Sequence, residues 1–554
     1  MADASYDAIV AGGGHQGTII ACYLQKAGMK TAIFERLNKL GGPVSSDKDL
    51  IPGFIINPGA NWSRFYSHPA YEDFSLNEKG LKYIFPEHNE GMIFDNETCI
   101  VGYSASQVVD PATGRSEFSD KNVQKTLKEI ARFSKRDADT AEELLRRYKT
   151  KWQAAFRKYS FLLPTPWGEK NELEKLCDDP KDGIDPVYQF MTNQQLAYDL
   201  FESDEMRTFF MRAVMTSSGC SPDDVTGLYG FVHTLSLVLS WQPVAIAVGG
   251  TQSVTNSLQR AFTEMGGKFF VGTEVEKLLI QNDTAKGIRL SDGTEVEAKK
   301  LVVSDLSTFQ TVCQLIDEDN VNPKIIQRVK NIRIARGKVW GGTIAVHELP
   351  KYKANTFNPD CGLQPRLYIG PKDPDYLAAN HRAEILINGV ASRLLLFVGT
   401  DTMWDKTRSP EGKHLIVIEE FTAPLRLFSA SRWQQFREDL LPLVLREWQL
   451  YAPNMTRDNV IDTYLVTPQI IANWNINMRE GSFSCGDMIT SQQDRFRPIP
   501  ELSHYRMPIK NFYLCSSSAH SGPGIGRGSG YCCYKVIAED FGLEKIWEKK
   551  GRSY

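Results

Sequence analysis

The sequence predicts an α/β fold in which one nucleotide-binding sheet is assembled from separated segments and joined to a mixed-sheet domain and a helical insert. Three glycine-marked strand-to-helix turns, near residues 6–35, 248–280 and 511–530, support this. The first is the fullest. Tyr6-Asp-Ala-Ile-Val-Ala11 is a short apolar strand running into Gly12-x-Gly14-x-x-Gly17, after which Ile19, Ile20, Tyr23, Leu24 and Ala27 keep helical spacing. A second strand, Thr31-Ala-Ile-Phe34, ends on Glu35. In a dinucleotide-binding turn of the Rossmann type, the first glycine bends the chain. The second lets backbone approach a pyrophosphate, and the third lets helix and strand close on each other. Gly12, Gly14 and Gly17 fill these roles, with His15 and Gln16 at the helix start, where free N–H groups and the helix dipole favour an anion. Glu35 stands where a carboxylate accepts both ribose hydroxyls, and no basic residue replaces it to favour a 2′-phosphate.

Composition excludes several classes. A net charge of −3 over 554 residues gives no field to recruit nucleic acid or an anionic membrane. No run approaches the roughly 18 apolar residues of a spanning helix, so peripheral contact is the only membrane association left open. The first strand begins about five residues from Met1, which leaves no room for a signal peptide. The ten cysteines form no C-x-x-C pair. A cytoplasmic protein with reduced thiols is expected. The histidines show no H-x-x-x-H spacing, and no metal is expected.

The chain divides into five stretches. Residues 1–65 hold the first nucleotide unit and an extension through Gly41-Gly42-Pro43 and Asn57-Pro-Gly-Ala-Asn61. Residues 66–240 read as mostly helical, with Leu144, Leu145, Tyr148, Trp152 and Phe156 at helical spacing, and end in the apolar stretch Gly227–Leu239. Residues 241–310 form the middle nucleotide segment, with Gly249-Gly250 opening a helix and a strand near Val275. Residues 311–490 read as a mixed substrate domain with strands near 338–347 and 414–421 and a long helix near 431–449. Residues 491–554 bring the chain back through a strand and the glycine-rich turn Gly522-Pro-Gly524-Ile525-Gly526-Arg527-Gly-Ser-Gly530.

These signals, in this order, resemble the phytoene desaturases and their pyridine-nucleotide-disulfide-oxidoreductase-like relatives within the FAD amine-oxidase superfamily. The residues concerned are Glu35-Arg36 with Gly41-Gly42, Ile51-Pro-Gly-Phe54, Gly249-Gly250, Gly267, Val275-Glu-Lys277 and Val302-Val-Ser304-Asp305. Further on come Gln492, Arg497-Pro498, Tyr505-Arg506-x-Pro508 and Leu514-Cys515 through Ala519-His520 to Gly524-Ile525. The resemblance implies FAD, with its pyrophosphate at Gly12, Gly14 and Gly17 and its adenosine ribose at Glu35. Val275 offers backbone to the adenine, and Gly524, Ile525 and Gly526 lie by the pyrimidine side of the flavin. Arg36, Gly42, Pro43, Asn61, Ser304 and Ser517 join this cofactor set. The chain departs from the family pattern at Ser516, Ser521, Pro523 and Arg527. The last of these puts a cation beside the expected ring.

A flavin supplies the electron chemistry, and the protein must supply orientation and a proton acceptor. Candidate catalytic groups are His520 and Arg527 in the turn, Tyr505 in the motif before it, and Tyr229 with His233 in the apolar stretch. No second nucleotide fingerprint and no redox cysteine pair is visible, so dioxygen or a quinone is the expected acceptor. The expected activity is dehydrogenation of a carbon–carbon bond in an apolar or cyclic carbonyl-bearing small molecule. Amine oxidation and redox-neutral isomerisation or saturation are the alternatives. The intact C-terminal turn argues against a flavin-free prenyl-protein escort.

Overall fold

The computed structural model describes residues 5–334 and 339–554. The first of its two large sheets is drawn from three distant parts of the chain. Ser5–Ala11 lies between Thr31–Phe34 and the end of Glu295–Ser304; Lys268–Phe270 and Phe512–Leu514 flank these, all parallel. Strands buried on both faces read as continuous apolar runs, and Ala8, Ile9, Val10 and Ala11 are fully buried. Ala8, Val10, Ile33 and Val303 meet helices His15–Lys26, Gln252–Glu264 and Ser529–Phe541. Ile9, Ala32 and Val302 meet the antiparallel strands Val275–Gln281 and Thr284–Leu290, which continue the same sheet from the start of Glu295–Ser304 and fold over its other face to complete a three-layer ββα arrangement.

The second sheet runs, in spatial order, Val460–Val466, Val339–Val346, His414–Phe421, Leu396–Gly399, Arg366–Gly370, His88–Phe94 and Cys99–Tyr103. Residue 338, included in the strand expected from the sequence, lies outside the described residues. The last two strands fall inside the stretch 66–240, which is otherwise mostly helical, and were not expected there. Met92, Ile93, Phe94, Cys99, Ile100 and Val101 are too uniformly buried for a solvated helix face, and a short turn between them makes a hairpin. One face of this sheet packs through Ile344, Ile416 and Ile418 on the helix Ala430–Gln449. Alternate residues point the other way, so Gly341, Arg366, Phe397 and Glu419 line a cavity.

The helical part of the insert closes over that cavity. Helices Asp120–Ala131, Lys135–Arg147 and Asp204–Ser218 each start on a serine, Ser119, Ser134 or Ser203, whose hydroxyl accepts a first-turn N–H. Gln153–Phe161, Asp204–Ser218 and Gly227–Val238 bring Phe156, Arg212 and His233 to the cavity wall. No helix among the described residues is long and apolar enough to cross a membrane.

Candidate active site

A single cavity of about 1110 Å³ runs from the first glycine turn, past the C-terminal turn, to the floor of the second sheet. This exceeds the roughly 300–1000 Å³ of a pocket for one small ligand. Gly12, Gly14, His15, Glu35, Arg36, Gly42, Pro43, Asn61 and Val275 line its nucleotide end. Gly12 has φ +97°, and a Cβ on Gly14 would lie 2.4 Å from Asp305 Oδ2. A Cβ on Gly17 would lie 2.5 Å from Gly12 O, so that glycine sets helix–strand contact and does not line the cavity. The Glu35 carboxylate accepts from the N–H of Gly13 and of Leu37, each at 2.7 Å. That fixes the side chain and leaves acceptor capacity facing the cavity.

The C-terminal turn forms the middle wall through Ser517, Pro523, Gly524, Ile525, Gly526 and Arg527. Arg497 bolts it in place, donating to the carbonyls of Ser484, Gly486, Gln492, Ser517 and Ala519. Gln16 spans the same junction: its Nε2 donates to Arg527 O at 2.9 Å and its Oε1 accepts from Gly530 N at 2.7 Å. It therefore clamps two segments together and does not line the cavity. Ser304 also lies elsewhere, sharing a hydrogen bond with Thr311 in the buried sheet.

Three of the five candidate catalytic residues stand behind the wall. The His520 ring is fully enclosed and donates from Nε2 to Tyr159 O at 2.9 Å. Burial holds its pKa below the usual histidine value. Tyr505 donates its hydroxyl to His520 O at 2.7 Å and pins the turn. Tyr229 is buried in a stack with Phe156, beneath the guanidinium of Arg527. None of the three lines the cavity. Arg527 does, as does His233, and its Nη2 lies 3.3 Å from His233 Nε2. No carboxylate among the described residues pairs with Arg527.

Beyond the turn, the sheet floor carries groups that the sequence reading did not single out. Glu419 lies opposite Phe397 in register, and burial pushes its pKa up to about 7 against the pull of Arg212 and Arg366. The Arg366 guanidinium lies 5.5 Å from the Trp62 ring and 5.4 Å from that of Phe397, with Nε 3.3 Å from Glu90. Arg212, 1% exposed, donates to Leu395 O and to Thr216 Oγ1, both at 2.9 Å. Arg64 Nη2 is buried with no hydrogen-bond partner.

Residues 17–318, more than half of the chain, match the profile of flavin containing amine oxidoreductases. The chain belongs to that family. It is an FAD-dependent oxidoreductase. It is 24% identical to "Pyridine nucleotide-disulfide oxidoreductase domain-containing protein 2" of Rattus norvegicus, over 97% of this chain and 94% of that one. It is 23% identical to "Phytoene desaturase (neurosporene-forming)" of Rhodobacter capsulatus, over 96% and 94% respectively. Among solved structures, putrescine oxidase bound to putrescine superposes with a TM-score of 0.58 at 14% identity, over 97% of this chain and 98% of that one, a likeness of fold.

The residues present suit FAD. Bare backbone at Gly14 lines the cavity, with the Asp305 carboxylate leaving no room for a side chain, and an anchored carboxylate stands at Glu35. Asn61 Oδ1, buried without a partner, is an acceptor left for a ligand. Burial lowers the pKa of His15 to about 4, so it lines the cavity as a neutral imidazole. No cluster of three His, Cys, Asp or Glu among the described residues is placed to hold a metal.

Proposed function

We propose that this oxidoreductase dehydrogenates a carbon–carbon bond next to a carbonyl in an apolar or cyclic small molecule, with dioxygen or a quinone as final acceptor. Bound FAD would accept the hydride, held by Gly12, Gly14, Glu35, Val275 and the turn Gly524–Gly526. The observation that carries the reading is Glu419, which faces the chamber with a pKa near 7. A carboxyl titrating near working pH is matched to take a proton from carbon. Arg212 and Arg366 on the same floor would hold the oxygen-bearing end of the substrate and so position its reacting carbons. The relatives named phytoene desaturase support removal of two hydrogens from adjacent carbons. An amine oxidase is the weaker reading, because a substrate ammonium would enter a chamber lined by Arg64, Arg212, Arg366 and Arg527. Ten free cysteines fit a reducing, cytoplasmic compartment.

Anaerobic mixing of the holoenzyme with saturated cyclic ketones, carboxylic acids and primary amines tests this, read as bleaching of the visible flavin band. Carbonyl compounds should bleach it and yield the unsaturated product, whereas amines and NADH should leave it yellow. Bleaching by amines alone would overturn the assignment.

A further inference from the structure

The floor of the chamber holds more positive charge than its own carboxylates balance. Arg64, Arg212, Arg366 and Arg527 all line the cavity. The acids beside them are Glu90, already engaged by Arg366 and by the Tyr368 hydroxyl, and Glu419. The guanidiniums also converge: Arg64, Arg366 and Arg527, after burial itself, all act to hold His233 uncharged.

Each cation is prepared for a ligand. Arg212 spends Nε on Leu395 O and Nη1 on Thr216, which fixes the plane of the fork and leaves Nη2 as its remaining edge. The Arg212 guanidinium also lies 5.0 Å from the Tyr368 ring and 5.5 Å from that of Phe421. Arg366 lies against both Trp62 and Phe397, rings that meet edge to face at 4.7 Å. Arg64 Nη2 has no partner at all. A desolvated cation without a counterion is costly, and a chamber for pure hydrocarbon has no use for one. A planar, bidentate anion answers the geometry of the guanidinium fork.

We propose that Arg64, Arg212 and Arg366 form a carboxylate-binding subsite, so that the substrate is an organic acid anchored by its carboxylate at the sheet floor. This rests on the dehydrogenase reading above and narrows its substrate class. Anchored there, the hydrocarbon part of the acid extends past Glu419 towards the C-terminal turn, and neutral hydrocarbons and amines are discriminated against.

Calorimetric titration of the oxidised holoenzyme with benzoate and with benzamide, its neutral near-isostere, tests the subsite without turnover. Benzoate should bind about 10–100-fold more tightly than benzamide, and its affinity should fall with added salt. Arg366→Met and Arg64→Met should each abolish most of that preference while keeping FAD content and benzamide affinity, with Arg366→Lys intermediate. Arg64→Met carries the test even if the Arg366 variants fail to fold, since Arg64 Nη2 holds no other part of the chain. Equal affinity for the two probes, or an unchanged preference in folded Arg64→Met, would overturn the subsite. Flavin bleaching by neutral ketones without benzoate binding would overturn the subsite alone. Benzoate binding without bleaching by any acid or ketone would instead sink the dehydrogenase reading.

Discussion

Glu419 and Glu420 are adjacent in sequence and face opposite ways. Glu420 points into protein, accepting from Leu395 N and lying 3.6 Å from His381 Nε2, whereas Glu419 faces the chamber. In the sequence His414-Leu-Ile-Val-Ile-Glu-Glu-Phe421 the two are indistinguishable, because a strand's facing depends on the register of its neighbours. His520 drew attention for the opposite reason: its motif is local and easily seen, but its ring turns into the core. His520→Ala should therefore lower the melting temperature and leave the pH dependence of flavin reduction as in wild type; a lost pH limb would put His520 back among the reacting groups. Glu419 makes a stability prediction with a definite sign. Its pKa rises from 4.5 to about 7 in the fold, so the stability it contributes is full below pH 4.5 and is lost as pH climbs through 7. Glu419→Gln should raise the melting temperature at pH 8 and not at pH 4, and an equal shift at both pH values would contradict a carboxylate that titrates in the chamber.

At the scale of elements, the glycine turns were legible because a turn's demands are local. A strand, three spaced glycines and an acid at the next strand end specify their geometry within about thirty residues. The chamber floor was not legible, since Arg366, Phe397 and Glu419 come to one face only through the register in which three successive strands pair. The hairpin His88–Tyr103 was missed for a similar reason, its partner Arg366–Gly370 lying more than 250 residues on. Arg497 could be matched to a family motif, but its work as a bolt could not be read from it. Arg497→Met should strand five carbonyls inside the protein, destabilise it by more than about 3 kcal/mol and lower FAD occupancy. Thermal melts with flavin absorbance check this, and a full complement of FAD at wild-type stability would show that the turn stands without it.

Over the whole molecule, the cofactor cavity is the place where segments from both ends and the middle of the chain meet. FAD bound there would contribute to stability by mass action, about 4 kcal/mol at a thousandfold excess over Kd. Stripping it should lower the melting temperature and speed proteolysis. Gly14→Val should do the same irreversibly, because its Cβ would lie 2.4 Å from the Asp305 carboxylate. Retained stoichiometric flavin in a folded Gly14→Val protein would contradict the placement of the cofactor. The central claim is that a carboxylate on the sheet floor takes the proton as the substrate is dehydrogenated. It is tested most directly by anaerobic stopped-flow reduction of wild type and Glu419→Gln between pH 5 and pH 9, using the carbonyl substrate that bleaches the wild type fastest. The wild-type rate should rise through a limb near pH 7 as Glu419 ionises. Glu419→Gln should be slower by about 10²–10⁴-fold with the limb gone, whereas an unchanged rate and limb in the folded, FAD-loaded variant would contradict the account.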